Sequence, residues 1–209
     1  MKKIMFSERY GLEQAVLAGM KTTTRRIIKG NFEDVKAYHA NGGWHFIADT
    51  DEGDSVELKP QYEIGEEVAI AQPYKNDDVL NYNAYNEDGT AREDGLQRHK
   101  EMLESKGYRN KMFVKAEYMP HRIRITGIKV ERLQDISDGD CLKEGITTIT
   151  EGKNEVGNAY GWDPKIDALK RDSFFTPRAA FAALIDRISG RGTWQSNPWV
   201  YAYTFELIK

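Results

Sequence analysis

Across residues 122–133 the run Arg-Ile-Arg-Ile-Thr-Gly-Ile-Lys-Val-Glu-Arg-Leu alternates polar with mostly apolar residues, the signature of a half-buried strand. Residues 197–205, Asn-Pro-Trp-Val-Tyr-Ala-Tyr-Thr-Phe, predict a terminal aromatic strand. Lys2 to Phe6 reads as a short strand, and Ser7 as the cap of a helix over Glu8–Ala18 with Leu12, Ala15, Val16 and Met20 on its inner face. Gly19 supplies a stop. Residues 43–48 and 55–58 predict a hairpin around the acidic turn 49–54, and Gly65 to Ala71 a turn feeding a buried strand. Ser137 opens a short helix that Gly145 ends. Thr176-Pro177 starts another, with Ala180, Phe181, Leu184, Ile185 and Ile188 on its apolar face and Gly190 as its stop.

Two stretches break this pattern. Residues 76–111 turn strongly polar, with a turn at 86–89 and a helix over about 96–105, and residues 150–175 are rich in glycine, charge and aromatics. Both read as insertions into one elaborated domain, the first guess for a chain of 209 residues. At 40% hydrophobic and 30% charged the composition is that of an ordinary globule, and the net charge of −3 argues against coating nucleic acid by bulk electrostatics while leaving room for a local basic cleft. Cys141, the single cysteine, has no internal disulfide partner. The opening residues turn charged before an export-type apolar segment develops, and no apolar run approaches membrane-spanning length, so a cytoplasmic protein without a membrane partner is expected.

Candidate chemistry concentrates at residues 21–26, Lys-Thr-Thr-Thr-Arg-Arg. Three β-branched threonines favour an extended backbone that would hold the charges of Lys21, Arg25 and Arg26 in place for a polar or anionic ligand. A solvated strand edge is the competing reading, because edge cations block unwanted pairing. His39, His45, His99 and His121 are scattered without a metal-ligand spacing to Cys141, and no glycine-rich phosphate loop precedes a helix, so neither metal nor cofactor is expected. Tyr74, Tyr82 and Tyr85 are candidates for stacking on a base; Trp194, Trp199, Tyr201 and Tyr203 read as core.

The order of five motifs resembles the ASCH domain, most closely its phage- and prophage-associated branch. These are Gly-x-Lys-Thr-x-Thr-Arg-Arg at 19–26, Gly-Glu-Glu-Val at 65–68, Met119-Pro120 with Arg122-Ile123 leading into residues 125–137, Glu144-Gly145-Ile146, and Asn-Pro-Trp-Val at 197–200. The resemblance covers about 1–74, 112–149 and 176–209. It implies an α+β fold, a PUA-like β-barrel with flanking helices, in a single domain over 1–209 with insertions at about 75–111 and 150–175. One branch of that family hydrolyses N4-acetylcytidine. Carried over motif by motif, it implies Thr24 as nucleophile, Lys21 as base, and Glu144 as the residue that orients water and shuttles the proton. Arg25 and Arg26 of the basic run, with Arg122 as a neighbour, are the candidates for contacting substrate or RNA. A free lysine is protonated at neutral pH, and burial together with Arg25 and Arg26 would lower its pKa. In a regular strand residues 21 and 24 face opposite ways, so their convergence needs a bend, or Lys21 in the turn after Gly19; the turn is favoured. A non-catalytic module binding RNA or a modified base, and a phage accessory or partner-binding protein, are the alternative functions.

Overall fold

Apolar parity along the strand over residues 122–132 changes once, from Ile123 and Ile125 to Ile128 and Val130. A β-bulge stands at that point: Thr204 pairs with Gly127 and Phe205 with Ile125, leaving Thr126 as the extra residue. The inserted residue keeps all four apolar side chains on one face and turns Lys129 and Glu131 to the other.

The structure, a computed structural model, describes residues 1–40, 43–149, 159–162 and 173–208. Its elements are β1 (Lys2–Ile4), α1 (Leu12–Leu17), β2 (Thr23–Ile27), β3 (Phe32–Ala40), β4 (Gly43–Thr50), β5 (Ser55–Leu58), β6 (Glu67–Ile70), α2 (Asp77–Ala84), α3 (Gly95–Glu104), β7 (Arg122–Arg132), α4 (Asp138–Lys143), β8 (Thr147–Ile149), β9 (Ala159–Gly161), α5 (Pro177–Ser189), α6 (Thr193–Ser196) and β10 (Trp199–Ile208). The class is α+β. The strands pair as a five-stranded sheet in the order β1-β6-β7-β10-β2, a meander β3-β4-β5 and a ribbon β8-β9, and among the described residues no hydrogen-bonded ring closes. β1 runs parallel to β6, and β10 is antiparallel to both β7 and β2. β2 is therefore an edge strand.

Tyr201, Tyr203 and Phe205 share one face of the sheet with Ile128 and Val130, and Phe46 of the meander meets the Tyr201 ring edge-on at 5.3 Å. On the opposite face lie Val200 and Arg25, and α4 packs there. A smaller apolar cluster, including Ala69, Tyr74, Val79, Met102 and Met119, joins the helices of the polar stretch to β6. That stretch is anchored to the sheet by a core of its own. Tyr74 belongs to this cluster, its hydroxyl accepting from the Lys115 N–H at 2.6 Å, so it is structural and unavailable for stacking on a base.

Several elements differ from the sequence reading. α1 begins at Leu12 because Gly11 adopts a left-handed conformation, φ 65°, and Ser7 offers its backbone carbonyl to the Leu12 N–H instead of its side chain. β3 escapes the periodicity because Val35 alone of its nine residues is buried, and α2 because only Val79 and Asn83 are. β2 begins at Thr23, which leaves Lys21 and Thr22 outside it. Most of residues 150–175 lie outside the described residues. Of those described, Trp162 is buried against Tyr10, edge-on at 6.2 Å.

Phe46, 1% exposed, is the largest side chain that the meander buries against the sheet. Phe46→Ala should therefore lower the unfolding free energy by about 3–5 kcal/mol, read from a denaturant midpoint at constant slope; a loss below ~1 kcal/mol would show that the meander is held elsewhere.

Candidate active site

Two chain reversals deliver the charged groups. After α1 the chain turns through Gly19, φ 71°, and the amides of Met20 and Lys21 both donate to the Ala15 carbonyl at 2.9 Å. Lys21 thus occupies the turn and Thr24 the strand, which resolves the opposite-face difficulty. α4 is capped at its start by Ser137, whose hydroxyl accepts from the Asp140 N–H at 3.1 Å. It ends in a Schellman motif: Ile146 N–H donates to the Cys141 carbonyl and Gly145 N–H to that of Leu142. Gly145 sits at φ 98°, and a Cβ there would lie 3.2 Å from Leu12 and 3.6 Å from Lys21. Glycine at 145 lets the end of α4 press against the Lys21 turn. The carbonyls freed there are taken up by Thr22 N–H, onto Lys143, and by Lys21 Nζ, onto Glu144.

Lys21 Nζ donates to the Glu144 carboxylate Oε2 at 2.6 Å, to the Glu144 carbonyl at 2.8 Å and to the Thr23 carbonyl at 2.7 Å. Three acceptors around one nitrogen call for three hydrogens, so the resting side chain is the ammonium. Arg25 continues the chain of charge, with Nη1 on Glu144 Oε1 at 2.9 Å and with Nε and Nη2 both on Glu131 Oε1, at 2.9 and 2.6 Å. Lys129 closes it at the surface, 2.5 Å from Glu131 Oε2. The side chains of Lys21, Glu144, Arg25 and Glu131 are each no more than 5% exposed. Burial holds the Lys21 pKa below that of a free lysine; Glu144 opposes the shift, and Arg26 and Arg25 add to it. Burial works the same way on Arg25, but its two carboxylates outweigh it and raise the pKa. The Cys141 thiol is pushed up by burial to about 12 and is no nucleophile.

Beside this chain a cavity of about 270 Å³ opens along the free edge of β2. Lys21, Thr24, Arg25, Arg26 and Glu144 line it, with Phe6 and α5 forming apolar walls. The Thr24 hydroxyl has no hydrogen-bond partner among the described residues. Bonds at Thr22 and Ile28 show that even-numbered residues of β2 bond to β10, so the N–H and C=O groups of Arg25 and Ile27 point to the free edge and are unpaired there among the described residues.

Lys21, Thr24 and Glu144 thus meet at one cavity. Arg25 lines it too, but two carboxylates already claim its charge. Arg26 donates from Nη2 to the Met5 carbonyl at 2.9 Å, and its buried Nε has no partner. Arg122 pairs with Ala69 and Ile208 at the far end of β7 and does not line the cavity. Glu131 was not among the nominated residues; the parity change at Gly127 is the signal that would have turned it inward. Searches against family models, characterised proteins and solved structures return no match to this chain.

Removing one member of a buried ion chain strands the others. Glu144→Gln should cost about 3–5 kcal/mol of stability in denaturant unfolding, and Glu131→Gln less, because Arg25 keeps Glu144; equal losses would refute this arrangement. Lys21 also predicts a pH dependence. Its pKa is lowered in the folded state, so between that value and 10.5 the unfolded chain binds the extra proton and stability rises with pH. Measured against Lys21→Met, the wild type should gain stability as pH climbs toward 10.5, and the opposite trend would mean that Glu144 outweighs burial.

Proposed function

We propose that this chain is an amidohydrolase of the ASCH type, a single PUA-like domain with insertions at about 75–111 and 150–175, that cleaves the N4-acyl amide of a cytidine-like nucleobase or nucleoside. One observation carries the reading: an unpartnered hydroxyl, Thr24, shares a cavity with a buried ammonium, Lys21, that lies 2.6 Å from a carboxylate, Glu144. Amide hydrolysis needs a nucleophile, a base and a proton donor for the leaving amine. At about 270 Å³ the cavity lies near the small end of ligand pockets, which suits one base better than a polymer segment.

The substrate displaces water, and Lys21 Nζ passes one proton to Glu144 Oε2. Neutral Nζ then takes the Thr24 hydroxyl proton as Oγ1 bonds to the acyl carbon. When the C–N bond breaks, the same proton leaves on the exocyclic amine, and the acyl group remains as an ester on Thr24. Water repeats the sequence: its proton goes to Nζ and then to Oγ1 as the ester C–O bond breaks. The carboxylic acid departs, and Glu144 returns its proton to Lys21. Amide and water become amine and acid, with enzyme charges restored. The lowering of the Lys21 pKa by burial eases the first transfer, and the unpaired backbone groups of Arg25 and Ile27 supply donors and acceptors for a pyrimidine edge.

Purified protein incubated with a panel of acylated cytidines tests this. Thr24→Val preserves shape and removes a hydroxyl that bonds to nothing, so kcat should fall by about three orders of magnitude or more while substrate binding and thermal midpoint stay near wild type. Binding without turnover of any acylated pyrimidine by the wild type would leave the cavity a recognition site only.

A further inference from the structure

A second cavity, of about 300 Å³, adjoins the first and shares Arg26 and Ile27 with it. Arg26, Lys29 and Lys59 line it, with no aspartate or glutamate among its described lining residues. Two polar atoms on its lining residues are buried and unpartnered, Arg26 Nε and the Tyr201 hydroxyl oxygen. The guanidinium is tethered through Nη2 to the Met5 carbonyl, and the Tyr201 ring is pinned edge-on against Phe46. Burial pushes the tyrosine pKa up to about 12, so its hydroxyl keeps a proton to donate.

Arg26 and two exposed ammonium groups line one concavity, and buried donors without partners stand on two of its lining residues, the donor chemistry of an oxyanion with several acceptor oxygens. An unpartnered buried donor is costly, and an anion supplies its missing partner. Thr24 and Arg26 lie two residues apart on the same face of β2, roughly 6.6 Å along the strand. A ligand reacting at Thr24 therefore has Arg26 and the second cavity one short step away.

We propose that the second cavity is a phosphate subsite, taking the phosphate of a nucleotide, free or within RNA, through Arg26, Lys29, Lys59 and the Tyr201 hydroxyl while the base enters the cavity of Thr24. Placing the base rests on the function proposed above; the subsite rests on its own charges and unpartnered donors.

Calorimetric titration of the full chain with cytidine, cytidine monophosphate, inorganic phosphate and a short single-stranded RNA tests this, alongside the arginine Nε–Hε resonances. The monophosphate should bind at least about tenfold tighter than cytidine at low salt, the equivalent of one charge-assisted hydrogen bond. That advantage should shrink as salt rises and approach parity in a Lys29→Ala/Lys59→Ala variant, whose exposed positions leave the fold intact. Tyr201→Phe should reduce it in part, and inorganic phosphate alone should shift the Arg26 Nε–Hε resonance. A larger gain for RNA than for the monophosphate identifies the polymer as the source; the reverse identifies the free nucleotide.

Equal affinity for cytidine and its monophosphate, or an advantage that survives the double lysine variant, overturns the subsite. Should neither bind, the Arg26 resonance decides: movement with phosphate supports the subsite, and stillness refutes it. Phosphate-dependent binding without turnover of any acylcytidine overturns the hydrolase reading and leaves the subsite standing. Turnover without a phosphate advantage does the opposite.

Discussion

Four charged side chains run in alternating sign through the interior, Lys21, Glu144, Arg25 and Glu131, and they join the turn after α1, the end of α4, the edge strand β2 and the central strand β7. Stability alone does not account for such a chain. Taking four charges out of water is expensive, and apolar residues of similar volume often hold a core as well or better. What the chain does provide is position. Each carboxylate oxygen that bonds to Lys21 or Arg25 is committed in direction, so Glu144 faces both cations at once and Lys21 spends all three hydrogens within one pocket. The arrangement sets a proton between two groups 2.6 Å apart at a cavity that Thr24 also lines.

The surrounding fold protects that arrangement on three sides and leaves one open. α4 and α5 cover the Arg25 face of the sheet, the meander covers the tyrosine face, and the polar stretch braces α1 from outside. In that brace Lys111 donates to the Phe6 carbonyl and to Glu13, and Gln72 donates to the other oxygen of Glu13 at 3.0 Å. Lys111, at the end of that stretch, therefore steadies the helix that leads into the turn carrying Lys21. The open side is the unpaired edge of β2. Edge strands are usually blunted against association, and here Arg25 and Ile27 instead present their backbone groups to a cavity walled by α5.

Much of the fold is legible locally. The alternation of residues 122–132, the Thr176-Pro177 start and Gly190 end of α5, the hairpin of β4 and β5, and the Ser137 and Gly145 limits of α4 all appear where side-chain period and capping chemistry put them. Elements whose buried face is one or two residues wide, β3 and α2, carry too little contrast between faces to be seen that way.

The sequence by itself determined where candidate chemistry concentrates: the cations and hydroxyls at 21–26 stand out by composition, and the resemblance to the ASCH domain adds Glu144 as a candidate. Only the tertiary structure decided their partnerships. Lys21 and Glu144 meet across 123 positions and Arg25 and Glu131 across 106, and no local period encodes which distant strand or helix end will face a given side chain. It also divided two adjacent arginines, committing Arg25 to carboxylates and leaving Arg26 between two cavities, because successive residues of a strand point to opposite faces and those faces were covered by different parts of the chain.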